Sequence, residues 1–120
     1  MAKKKKPEHK ILNTFEIEKN LVISTAHIPE EDFLKAEKQA QNDRSKVFNG
    51  YPELMVENHT YGVIVILGSS DKRSDMIQAL RKDFSEAFCN VLSLASSMEL
   101  DNVKFDADGP EYDCLPTFGW

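Results

Sequence analysis

Tyr61-Gly62-Val63-Ile64-Val65-Ile66-Leu67 is the stretch on which the fold turns. Apolar residues occupy both alternating positions, and four of the seven are branched at Cβ, so it reads as an inner strand covered on at least one side. Gly68, Ser69, Ser70 and Asp71 stop it. Downstream, Met76, Ile77, Leu80, Phe84, Ala87, Phe88, Val91, Leu92, Ala95 and Met98 recur at helical steps. That stripe predicts one long helix from about Ser74 to Met98 with a wide apolar face. Cys89 lies beside the stripe and reads as a small buried hydrophobe.

Upstream, Phe15, Ile17, Leu21 and Ile23 share one side of an extended segment that includes the β-branched Val22, Ile23 and Thr25. Pro29, followed by Glu30, Glu31 and Asp32, opens a helix running to about Asn42, because a proline is tolerated there and carboxylates suit the positive end of the helix dipole. Its apolar face (Phe33, Leu34, Ala36, Ala40) is thin. Residues 43–53 read as a loop, and Leu54-Met55-Val56 as a short strand turning through Glu57, Asn58 and His59. Asn102 to Ala107 alternates again as a last strand. The tail from Asp108 to Trp120 has too many glycines and prolines for a regular element, yet its Tyr112, Leu115, Phe118 and Trp120 should pack back on the body.

The order is strand, helix, short strand, strand, helix, strand. The class is therefore α+β, a small sheet of three to four strands with two helices. The ferredoxin-like split βαβ, with an antiparallel sheet, is preferred over a small parallel α/β sheet. In the preferred arrangement the first strand runs opposite to the third and fourth, which places His27 far from Asp106. In the parallel one, His27, the Gly68 loop and the Asp106/Asp108 pair gather at one sheet edge.

At 120 residues the chain supports a single domain, residues 11–120, preceded by a flexible basic arm at residues 1–10. Five lysines against Glu8 give the arm +4, which leaves −9 for the rest of a chain whose net charge is −5. Lys3, Lys4, Lys5 and Lys6 are thus the candidates for nucleic-acid contact, while an acidic body repels nucleic acid elsewhere. The longest apolar run is Val63 to Leu67, so no membrane span or signal peptide is expected. Two cysteines, Cys89 and Cys114, form no disulfide framework, and the expected compartment is the cytoplasm.

Candidate chemistry is sparse. Asp106 and Asp108 end the last strand one residue apart and could hold a divalent metal through oxygen ligands. Asp108-Gly109-Pro110 is equally good turn chemistry. His27, at the junction of the first strand and helix, reads as a general base or as a packed junction residue. The Gly68-Ser69-Ser70-Asp71 loop lacks the spacing of a phosphate-binding loop, and no serine or Cys114 sits in a nucleophile motif. No cofactor is expected, with a divalent metal the exception left open.

Leu21-Val22-Ile23-Ser24-Thr25-Ala26-His27-Ile28, Phe105-Asp106-Ala107-Asp108-Gly109 and Leu115-Pro116-Thr117-Phe118-Gly119-Trp120 together resemble a family of small uncharacterised proteins carried on bacterial plasmids and prophages. That family shares an S-T-x-H segment, an F-D-x-D strand end and an L-P-x-F/Y-x-W terminus. The resemblance implies a bacterial or phage cytoplasmic protein and supplies no activity. The expected function is accordingly binding of a host or phage protein, inhibiting a nucleic-acid-handling or defence complex. Asp113, Tyr112, Phe118 and Trp120 form the expected contact patch. The rival is a metal-assisted hydrolase or phosphotransfer enzyme using Asp106, Asp108 and His27. An open edge strand also leaves room for a homodimer.

Overall fold

A computed structural model describes residues 17–41, 55–68 and 70–120. Alternation in short segments builds four strands among them: β1 (Asn20–Ser24), β2 (Met55–His59), β3 (Gly62–Ile66) and β4 (Asn102–Asp106). A 3-10 turn at Thr25–His27 leads from β1 into α1 (Glu30–Gln41), and α2 (Ser70–Leu80) and α3 (Glu86–Ser97) follow β3. The class is α+β with one small sheet, and the four strands and the first helix fall in the order the sequence predicts.

Strand order is β1-β4-β3-β2, and the sheet is mixed. β3 runs antiparallel to both neighbours, while β1 lies parallel to β4 with Ser24 opposite Asp106. The expectation that the first strand opposes the fourth is corrected here. β1 and β4 start together because the backbone N–H of Asp101 donates to Lys19 O at 2.8 Å and Asp101 Oδ2 accepts from Lys19 N at 2.8 Å.

Register assigns each face. Val56, Val65, Val103 and Leu21 form one cross-strand row, and Asn58, Val63, Phe105 and Ile23 the next. The helices pack on this face. Phe88 of α3 is fully buried, stacked 5.6 Å from Phe105 and 4.4 Å from Phe84. On the other face, Ile64, Ile66, Val22 and Lys104 are half-buried.

The long helix expected from Ser74 to Met98 is two helices. Bonds of the tighter three-residue kind, Lys82 N to Ala79 O and Asp83 N to Leu80 O, close α2, and Ser85 caps α3 by accepting from Phe88 N at 3.2 Å. The periodic stripe survives the break because Phe84 and Phe88 stay on the buried side. What fixes the break is Asp32, a residue of α1. Its carboxylate, 2% exposed, accepts from Ser85 N at 3.1 Å and from Ser85 Oγ. One carboxylate thereby serves the first turn of α1 and the N-terminus of α3. Asp32→Asn turns one acceptor into a donor against Ser85 and should cost about 1–2 kcal/mol in urea unfolding. An unchanged midpoint would show that the two helix starts are not tied through this group.

Candidate functional site

β1 ends at Ser24, whose Oγ accepts from Ala26 N at 3.0 Å and starts the 3-10 turn. The turn drives the His27 ring inward until it is 1% exposed. There the ring meets the tail. Its Nε2 accepts from Tyr112 N at 2.8 Å, so Nδ1 carries the proton and donates to Pro116 O at 2.7 Å. One tautomer satisfies two backbone groups of the tail.

The tail begins in a tight turn. Asp106 Oδ1 accepts from Asp108 N at 2.8 Å, and Asp106 O from Gly109 N at 2.8 Å. It then runs along the free side of β1: Ser24 N donates to Pro110 O at 2.9 Å, and Tyr112 Oη donates to Val22 O at 2.8 Å. Past His27, Phe118 N donates to Ala26 O at 2.7 Å and Trp120 Nε1 to Ile28 O at 2.7 Å. Leu115 packs against the core, and the Trp120 ring stands 5.5 Å from Phe33 of α1. A strand edge that would otherwise present unpaired groups is thus closed by the chain's own tail. Residues 21–28 and 105–120 form one clasp at one end of the sheet.

The clasp surface is aromatic and acidic. Tyr112 is 37% and Trp120 47% exposed although both are hydrogen-bonded, and Phe118 is half-buried. Asp108, Glu111 and Asp113 are exposed along the same tail, and Glu30 and Glu31 are exposed just beyond Ile28.

The structure sorts the residues singled out by sequence. His27 and the Asp106/Asp108 pair share one end of the sheet, against the expectation from the preferred topology. The parallel β1–β4 pair brings them there, while the Gly68 loop lies at the other end, where Ile66 pairs with Asn102. Both His27 nitrogens are engaged by the tail, and proton transfer through this ring would require the clasp to open. Asp106 holds a turn, and among the described residues no group of three or more His, Cys, Asp or Glu is placed to hold a metal ion. Tyr112, Phe118, Trp120 and Asp113 all belong to the clasp. Lys3, Lys4, Lys5 and Lys6 lie outside the described residues, and none of the helices described is long and apolar enough to cross a membrane.

The cysteines differ sharply. Cys89 is fully buried, and burial pushes its thiol up from 9.0 to about 11, with Arg81 opposing and Asp32 adding to the shift. Cys114 is exposed on the clasp. A thiol reagent at pH 8 should therefore modify Cys114 rapidly and Cys89 only after unfolding. Rapid modification of both in the native protein would contradict the buried placement of α3.

Sequence reasoning read Asp32 only as a first-turn carboxylate and gave Arg73 no site role, and both are buried. Each is anchored by tertiary neighbours, and a charged residue in an amphipathic helix carries no local sign of that.

Residues 20–120 match a family described as the family of unknown function (DUF5983) C-terminal domain. The chain belongs to that family. The matched region opens on the first residue of β1 and closes on Trp120, so the DUF5983 C-terminal domain comprises sheet, helices and clasp together. No curated protein and no solved structure matches the chain.

Proposed function

We propose that this DUF5983 domain is a binding module, a small cytoplasmic accessory protein of a bacterial mobile element or phage, and that its clasp is the surface presented to a protein partner. The observation that carries this reading is the state of the tail. Tyr112 and Trp120 are each pinned by a side-chain hydrogen bond, yet more than a third of each remains exposed. Aromatic anchors held in one orientation lose little entropy on binding. The acidic groups beside them, Asp108, Glu111 and Asp113, suit a basic partner such as the groove of a nucleic-acid-handling or defence complex. The engaged state of His27 argues in the same direction, because the enzyme reading needs that ring as a base.

The test is a charge reversal that leaves the clasp's hydrogen bonds intact. Full-length protein is immobilised beside the variant Glu111→Lys/Asp113→Lys, and each is exposed to a bacterial extract at low salt and at about 0.5 M salt, where charges are screened within a few ångströms. The reading requires a partner retained by the wild type, released by salt and lost in the variant, with both proteins melting alike. Retention indifferent to the reversal would move the contact off the clasp. A nucleic acid lost on deletion of residues 1–10 would transfer the function to the lysine arm.

A further inference from the structure

At the end of the sheet opposite the clasp lies a cleft of about 250 Å3 lined by Glu18, Arg73, Asp101 and Asn102, with Ile17 and Ile66 as apolar walls. Arg73 is unusual there. It is only 8% exposed, its Nε donates to Gly68 O at 3.0 Å, and Nη2 stands 3.9 Å from Asp101 Oδ1, beyond hydrogen-bond length. Neither terminal amino group makes a hydrogen bond among the described residues. Since among the described residues no fully buried side-chain nitrogen lacks a partner, these groups reach open space, and the open space is the cleft. A deeply set guanidinium ordinarily has its donors satisfied. Here Nη2 makes only a long ion pair with Asp101, and both terminal amino groups keep hydrogen-bonding capacity toward the cleft.

The rest of the lining offers acceptors. Asp101 Oδ2 takes the Lys19 N–H at 2.8 Å, which leaves Oδ1. Asn102 spends its Nδ2 on Glu18 Oε1 at 3.1 Å and Asn20 Oδ1 at 2.7 Å, which leaves its carbonyl oxygen. A bare oxyanion would suit Arg73 but would meet the carboxylates of Asp101 and Glu18. A cation would suit those carboxylates and oppose Arg73. A neutral, flat group with two adjacent acceptors beside N–H donors satisfies both sets.

We propose that this cleft binds a purine base through a guanine-like edge. Arg73 donates as a fork to the O6 and N7 acceptors, the commonest specific arginine–base pairing. Asp101 and Asn102 accept from the N–H groups of the same base, and Ile17 and Ile66 supply the apolar surface for its ring. The cleft is smaller than the roughly 300–1,000 Å3 of pockets that enclose drug-sized ligands, so it has room for a base and not for an extended cofactor.

Backbone amide spectra of the full chain, titrated separately with guanosine, adenosine and inorganic phosphate to about 5 mM, test this. Guanosine should move the Gly68, Asp101 and Asn102 signals saturably, and Arg73→Lys should weaken that binding about tenfold or more, since lysine has no fork. Arg73 also holds Gly68 O, so a second variant guards against loss of fold. Ile17 is 58% exposed, and Ile17→Ser should leave melting unchanged while weakening guanosine several-fold. Phosphate moving these signals in place of guanosine would overturn the proposal in favour of an oxyanion site. Equal response to adenosine, no response to any probe, or indifference to both variants would also overturn it.

Discussion

His27→Ala is expected to free the C-terminal tail while leaving the sheet folded. The substitution takes the acceptor from Tyr112 N and the donor from Pro116 O, and it leaves a hole where a ring was 1% exposed. Two such bonds and the packing together are worth about 3 kcal/mol, which for a domain of this size lowers the melting temperature by roughly 10 °C. Trp120 is the chain's one tryptophan and donates to Ile28 O beside Phe33, so its emission reports on the clasp directly. The expected result is red-shifted emission together with rapid proteolysis between Pro110 and Trp120. His27→Gln, which keeps one donor and one acceptor, should lose less. Should His27→Ala melt like the wild type with unshifted emission, the ring would not be what fastens the tail.

Gly62→Ala is expected to have the larger effect. Gly62 faces Asp106 across the β3–β4 pair, and a Cβ built there would stand 1.8 Å from the carbonyl oxygen of Phe105. That neighbour is backbone in the middle of the sheet, so relief requires the strands to part. A loss on the order of 4 kcal/mol or more follows, enough to leave a marginal domain largely unfolded. Two other glycines calibrate it. Gly68 has φ +76° with open space around it, so Gly68→Ala should cost only the left-handed backbone strain of about 1–2 kcal/mol. Gly119 has nothing within 4 Å of a built Cβ, and Gly119→Ala should be silent. Urea midpoints in any order other than Gly62 lowest, Gly68 next and Gly119 near wild type would refute this account of the β3–β4 contact.

The elements were legible because they are written in local periodicity. Apolar Val63 and Val65, and the three- and four-residue steps of Met76 to Met98, depend only on which side of a strand or helix meets the core. The helix break at 81–85 was not legible, since the stripe continues through it and the anchoring carboxylate, Asp32, is 53 residues away. The tail aromatics were legible as a packed terminus because Gly109, Pro110 and Pro116 rule out regular structure while Trp120 and Phe118 demand cover. What they pack on was not.

By itself the sequence determined the class, the order of the strands, the acidic body and most of the apolar stripe after β3, all of them properties of near neighbours in the chain. In α1 it did not determine the buried face, since Leu34 is 52% exposed while Asp32 and Gln39 are buried. Only the tertiary structure decided that β1 lies beside β4, that His27 spends both nitrogens on the tail, and that Arg73 lines a cleft beside Asp101 with only a long ion pair to it. These depend on which distant backbone groups come within about 3 Å of one another. A hydrogen bond has no periodicity along the chain, so its partner is fixed by strand order and by the path of the tail.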